Sequence, residues 1–284
     1  MPTGFTLARP FIHLLPPETA HNLGLWALKN NLLPAAAPTH FPELITHAFG
    51  LTFTSPIGLA AGFDKNAVAI NSLLKQGFGF VEAGTVTPRP QPGNPKPRIF
   101  RLSDDKAVIN RLGFNNQGLS EFISNYTRRD KILGIAGANI GRNKDAIDAV
   151  ADYTQGLTSL YPHADYITIN ISSPNTQGLR ALQQREALTE LLSSLASARQ
   201  ECQKTHPRHV PILLKIAPDL DKAGMEDIAQ IVLEQKIDGI IVSNTTLERP
   251  SLASKHHTQE TGGIKRKTAL CPFHRAAKTY LPTH

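Results

Sequence analysis

Six short runs of β-type residues recur along the chain with helical stretches between them. That alternation constrains the fold more than any other feature. The runs are residues 57–61, 78–86, 133–140, 166–172, 212–217 and 239–245. Residues 67–76, 146–160, 185–202 and 222–235 carry the apolar spacing of helices. Parallel neighbours need a crossover connection, usually a helix, so this order reads as successive βαβ units. It predicts an α/β fold of the TIM (β/α)8 barrel lineage. A closed barrel has eight strands, and no β-branched apolar run follows Thr245, so strands 7 and 8 are expected to be lacking.

Ahead of the barrel pattern, residues 5–33 read as two short helices. Phe5, Ala8, Phe11, Ile12 and Leu15 fall at helical spacing, and Pro16-Pro17 breaks the run. The second helix is apolar around much of its circumference, with Leu23, Leu25, Trp26, Leu28, Leu32 and Leu33. Two readings stand for this hairpin: one packs it on the main domain, the other lays its apolar face on lipid. A proline-rich linker with Pro34, Pro38 and Pro42 follows it. Residues 89–98, where Asn94 stands among Pro90, Pro92, Pro95 and Pro97, read as a stiff extended loop.

Composition excludes several classes. With 40% hydrophobic and 19% charged residues the chain is not of the disordered type. Its two cysteines, Cys202 and Cys271, are far apart, which excludes a disulfide framework and a cysteine zinc site. No metal site is expected. No uncharged apolar run reaches the roughly 18 residues of a spanning helix, and MPTGFTLARPF lacks the pattern of a secretory signal. The formal charge is +7. Seven of the basic residues (Arg249, Lys255, Lys265, Arg266, Lys267, Arg275 and Lys278) lie near the end, with Glu260 as the one acid among them. The body is nearly neutral, which argues against nucleic acid as a partner.

In barrels of this type the chemistry sits at the C-terminal strand ends. There the sequence places Lys65, Thr85, Asn139, then Asn170, Ser172, Ser173 and Asn175, then Lys215, and finally Ser243, Asn244 and Thr245. Along residues 166–172, Thr168, Asn170 and Ser172 share one face and three isoleucines the other. The polar row must find partners inside the barrel. Asparagines carry donor and acceptor on one amide, which matches a flat ligand with alternating N–H and C=O groups, such as a flavin ring or a pyrimidine. Lys215 interrupts an apolar strand, so its ammonium needs an anionic or carbonyl partner, from the protein or from a ligand. Lys65 lies in a glycine-containing turn suited to an anionic substrate. Ser173, ahead of Pro174, is either a turn residue or a base, and an unperturbed serine needs an acceptor chain to carry a proton away.

The stretches GLAAGFDKNA, GFGFVEAGTVTPRPQPGNPKPRIFRL, INRLGFNNQG, NIGRNK, INISSPNTQGLR, KIAPDL, IDGIIVSNTTL and TGG, in this order over about residues 5–263, resemble the class 2 dihydroorotate dehydrogenases. These are the quinone-linked flavoenzymes of pyrimidine (UMP) synthesis. The resemblance implies FMN held by Ala61, Gly62, Thr85, Asn139, Asn170, Lys215 and Ser243. It implies dihydroorotate held by Lys65, by Asn110, Arg111, Leu112, Gly113 and Phe114, and by Asn170, Asn175, Asn244 and Thr245. Ser173 matches the catalytic base, with Thr176 and Phe114 beside its proton exit. The implied layout is an N-terminal hairpin over 1–40 for membrane and quinone access, an incomplete FMN-binding barrel over 41–263, and a basic atypical tail over 264–284. Implied partners are dihydroorotate and orotate, a membrane quinone and the membrane surface, with a monomer peripheral to the cytoplasmic side of a bacterial membrane. The pattern departs after Gly263: Arg266 stands where a further glycine is expected, and the strand-free tail resembles translation in a shifted frame. Two readings therefore stand, an active quinone-linked dehydrogenase and a non-catalytic truncated remnant unable to hold FMN.

Overall fold

Prolines set the first boundary. The structure, a computed structural model, describes residues 4–36, 41–176, 178–249, 252–254 and 256–266. Helix α1 (Gly4–Leu14) stops short of Pro16-Pro17, and α2 (Pro17–Lys29) begins on the second proline, where a missing N–H costs nothing and φ is already helical. Glu18 in its first turn and Lys29 in its last complement the helix dipole. The linker's Pro38 lies outside the described residues.

A short antiparallel hairpin follows, β1 (Thr46–Ala48) and β2 (Leu51–Phe53). Next come β3 (Gly58–Leu59), α3 (Ile70–Leu74) and β4 (Phe80–Val86). The ring of Phe53 meets that of Phe80 edge-on at 5.3 Å. Phe49, in the hairpin turn, lies so close to Gly239 that an added Cβ there would stand 2.7 Å from its ring. Phe80 begins one strand and Gly239 another, so the hairpin covers the N-terminal end of the main sheet.

The chain continues with β5 (Ile99–Leu102), β6 (Ala107–Asn110), α4 (Gly118–Tyr126), β7 (Ile135–Ile140), α5 (Ala149–Leu160) and β8 (Tyr166–Asn170). It ends with α6 (Arg185–Thr205), β9 (Ile212–Ile216), α7 (Lys222–Glu234), β10 (Gly239–Val242) and β11 (Gly263–Arg266). Asp148 and Asp221 cap α5 and α7 by accepting from Ala151 N (3.0 Å) and Gly224 N (2.8 Å).

All six runs expected as barrel strands are strands. They form one sheet in the order β10-β9-β8-β7-β4-β3, and every adjacent pair is parallel. Leucines of α5 and α6 and isoleucines of α7 share one apolar cluster with Ile167, Ile169, Ile171 and Leu214. This is the α/β architecture of the TIM-barrel lineage. Among the described residues β3 and β10 each pair on one side. β8 and β9 are buried along their length, whereas β10 is half-buried throughout.

The expectation of no strand after Thr245 needs one correction. Strand β11 exists, yet it joins β6 antiparallel in a separate three-stranded sheet, β11-β6-β5, rather than extending the barrel. Ile264 is what seats it, buried with Phe100, Leu102, Ala107 and Ile109 in a second small core. Arg266 pairs in register with Ala107 at the end of this sheet. The expected tail beyond Arg266 lies outside the described residues.

Candidate active site

The polar row of β8 is satisfied by β4. Thr168 Oγ1 donates to Glu82 Oε2 (3.0 Å) and Asn170 Nδ2 to Thr85 Oγ1 (2.7 Å). Thr85 Oγ1 in turn donates to Asn139 Oδ1 (2.5 Å), and Asn139 Nδ2 to Glu82 Oε1 (2.8 Å). A third donor reaches Glu82 from Tyr166 OH (3.3 Å). Burial first, and the Glu82 charge second, hold that phenol far above its ordinary pKa, so it stays a donor. Lys215 Nζ stands 4.0 Å from Glu82 Oε1, near enough for charge compensation and too far for a hydrogen bond. The partner Lys215 requires is thus a buried carboxylate that the sequence reading misses. That carboxylate is the lone acid of VEAGTV, and the strand carrying the lysine of LLKIAP lies three strands further along the sheet.

Above this row the strand ends converge. Ser172 Oγ donates to Asn170 Oδ1 (2.7 Å), and Asn244 Nδ2 donates to Ser172 Oγ (3.0 Å). Ser173, buried, accepts at Oγ from Asn175 N (3.3 Å), while Asn175 Nδ2 donates to Asn110 O (3.2 Å). Asn244 Oδ1 accepts from Thr245 N (2.8 Å). Thr245 sits against Gly263, where a Cβ would fall 1.9 Å from its Oγ1. Ser243 Oγ donates to Asn244 O (3.1 Å). Ser173, Asn175, Asn244, Thr245 and Asn110 are therefore one neighbourhood, roofed by the β11-β6-β5 sheet. Nearby Thr176 Oγ1 and Asn115 Oδ1 are buried without a hydrogen-bond partner.

The segment after β6 contributes unevenly. Phe114 is buried in the left-handed region (φ 54°), a conformation that costs an aromatic residue about 1–3 kcal/mol. Three hydrogen bonds hold it there. Gln91 Nε2 donates to Gly113 O and Phe114 O (3.2 Å each), and Asn116 Nδ2 to Phe114 O (2.8 Å). The Phe114 ring lies where a Cβ on Gly141 would approach to 2.9 Å, beside the Thr85 methyl. Leu112 offers its carbonyl to Asn94 N (3.0 Å). Arg111 turns away from the strand ends: Nη1 binds Glu260 (2.7 Å) and the guanidinium lies 4.6 Å over Phe100. Its side chain is not brought to the neighbourhood of Ser173.

At the end of β3, Ala61 and Gly62 lead into a turn where Lys65 Nζ donates to Gly62 O (2.6 Å). Loss of water around this ammonium pushes its pKa down to about 8, and the Arg98 charge adds to the fall against Glu18 and Asp64. Gly62 adopts φ 111° and borders open space on its Cβ side. Among the described residues no cluster of three His, Cys, Asp or Glu could hold a metal ion.

A parallel sheet of barrel lineage whose C-terminal strand ends gather amides, hydroxyls and two lysines defines a barrel enzyme. Comparison with known proteins narrows the class. The family model for dihydroorotate dehydrogenase matches residues 43–268. The dihydroorotate dehydrogenase (quinone) of Azorhizobium caulinodans is 50% identical over 262 residues, spanning 92% of this chain and 74% of that protein. That of Rhizobium leguminosarum bv. trifolii is 53% identical over 258 residues, 91% of this chain and 71% of the relative. The crystal structure of DHODH from Eimeria tenella in complex with ferulenol superposes with a TM-score of 0.83 at 42% identity, covering 88% of this chain and 72% of that one. The chain belongs to the dihydroorotate dehydrogenase family, in its quinone-linked class 2.

Proposed function

We propose that this chain oxidises dihydroorotate to orotate in pyrimidine biosynthesis, with FMN as hydride acceptor and a membrane quinone as final acceptor. The observation that carries the reading is the convergence of Ser173, Asn175, Asn244 and Asn110 on one face, in a chain half-identical to enzymes of that name. The residues suit the flavin. Asn139, Asn170 and Thr85 form a buried amide and hydroxyl row, and the buried Lys215 has its carboxylate at 4.0 Å, beyond hydrogen-bond distance. Gly62, next to Ala61, borders open space after β3 at one flank of the sheet, and Ser243 follows β10 at the other. When bound, FMN supplies the acceptor for the hydride.

The chain's own residues do the rest. Lys65 neutralises the substrate carboxylate, and Asn110, Asn170, Asn175, Asn244 and Thr245 hold the ring's amide edges so that it lies within reach. The backbone of 112–113 and the Phe114 ring cover it. Ser173 Oγ takes the proton from the carbon next to the carboxylate-bearing carbon, the hydride leaves the latter, and the pair of electrons left behind forms the ring double bond. A serine hydroxyl cannot keep that proton. The buried, unpartnered Thr176 Oγ1, three residues further along the chain, is its way out.

The N-terminal helices supply quinone access. Phe11, Leu14 and Trp26 are 72%, 82% and 56% exposed, an apolar surface suited to the bilayer interface. No described helix is long and apolar enough to cross a membrane. A monomer seated peripherally on the cytoplasmic side of a bacterial membrane follows from this reading. The test is orotate formation with a short-chain quinone, with Ser173→Ala as control. The reading requires orotate to appear with quinone and to fall about 10²–10⁴-fold in the variant. Turnover with a soluble nicotinamide or fumarate acceptor but not with quinone would contradict it.

A further inference from the structure

Arg98 lies between the helix pair and the catalytic face, buried, with all of its guanidinium edges engaged. Its Nε and Nη2 grip the Glu18 carboxylate of α2 as a fork (2.7–3.2 Å). Its Nη1 donates to Pro92 O (2.7 Å) and Asn94 O (2.9 Å) in the proline-rich loop. From there the side chain of Asn94 runs onward, Nδ2 donating to Arg111 O (2.9 Å) and Asn175 O (3.1 Å). Asn175 N then donates to Ser173 Oγ (3.3 Å). An unbroken series of hydrogen bonds joins an N-terminal helix to the oxygen that takes the proton.

The loop has little room to absorb a change. Gly93 adopts φ 78°, and a Cβ there would stand 2.3 Å from Leu112 O and 2.9 Å from Arg98 Nη1. A buried guanidinium that loses its carboxylate must turn toward other acceptors or water, and turning releases Pro92 O and Asn94 O together. A lysine could not substitute, because a point ammonium cannot span both the carboxylate and two carbonyls in one plane.

We propose that Arg98 is a positioning residue that couples the seating of the N-terminal helices to the loop carrying Ser173. Displacement of α2 then loosens the catalytic loop, and a seated α2 holds it for dihydroorotate oxidation. The functional half of this statement rests on the reaction proposed above; the structural half does not.

Hydrogen–deuterium exchange on the full chain separates them, since it needs no substrate. In Glu18→Gln, amide exchange over residues 173–176 should rise about threefold or more. Arg98→Lys, which keeps the charge and loses the fork, should give the same local pattern. Ser72→Ala is the control: it cuts the 2.9 Å bond to Asn31 beside α2 and has no link to the loop, so residues 173–176 should stay protected. Combined with Asn94→Ala, Glu18→Gln should add nothing further, because both cut one series. Anaerobic flavin reduction by dihydroorotate should slow in step with exchange. Unchanged exchange at 173–176 in both Glu18→Gln and Arg98→Lys would overturn the proposal, as would equal loosening in Ser72→Ala. Altered exchange without any dihydroorotate oxidation by the parent chain would sink the proposed reaction alone.

Discussion

Lys65 and Glu82 show how single residues are set by their surroundings. Lys65 has a pKa of about 8 against 10.5 for a free lysine, chiefly through desolvation. The unfolded chain therefore binds more protons between those values, and this residue's contribution to stability rises with pH across that window. Ligand binding runs the other way. On the proposed function orotate binds the charged form, so its affinity for the oxidised enzyme should be flat below pH 8 and fall about tenfold per unit above it. Lys65→Arg should remove the break; a break that persists in the variant would assign the titration elsewhere. Glu82 accepts from three side chains and compensates Lys215. Glu82→Ala should cost about 3–5 kcal/mol in urea unfolding, since it strands a buried ammonium. A loss under 1 kcal/mol would mean that Lys215 is compensated from another side. Sequence reasoning found the lysine and asked for its partner. It could not supply Glu82, because a lone acid in an apolar strand looks alike whether it faces a helix or a barrel interior.

Elements differ in how far their sequence announces them. β4, β7, β8 and β9 are buried on both faces, so each is an apolar run broken by turn residues and visible without neighbours. β5 and β6 are four-residue strands with alternating burial, and β11 draws its strand character from Ile264 entering a core built elsewhere. None of these has a local signal that outweighs its brevity. The same holds for α4, nine residues long, with only Leu119, Phe122 and Tyr126 among its buried large side chains. The proline-rich loop was legible as stiff, while its role as a bracket around Arg98 was not, since that depends on Glu18, eighty positions away. Gly93→Ala tests the bracket. Its positive φ and 2.3 Å approach to Leu112 O should make the variant lose about 1–3 kcal/mol and raise KM for dihydroorotate. At the helix pair, Phe11→Ser with Trp26→Ser should weaken retention on phospholipid vesicles several-fold, read by sedimentation; unchanged retention would place the membrane contact elsewhere.

At the scale of the molecule, the barrel lineage and the strand-end site were readable together, because successive βαβ units put every strand's C-terminal end on one face. Ser173, Asn170, Asn175, Asn244 and Lys215 were legible as residues in or just after barrel strands, and the fold gathers them. What it could not provide was the roof, the three-stranded sheet that joins residues 99–110 to 263–266 and sets Asn110 against Asn175. The central claim is that this scaffold carries FMN and reduces it with dihydroorotate. The direct measurement is the visible absorbance of the purified chain, followed by anaerobic addition of dihydroorotate. The account predicts a flavin spectrum that bleaches, with orotate formed in equal amount. A protein that stays colourless when FMN is added, or a flavin band that dihydroorotate leaves unchanged, would contradict it.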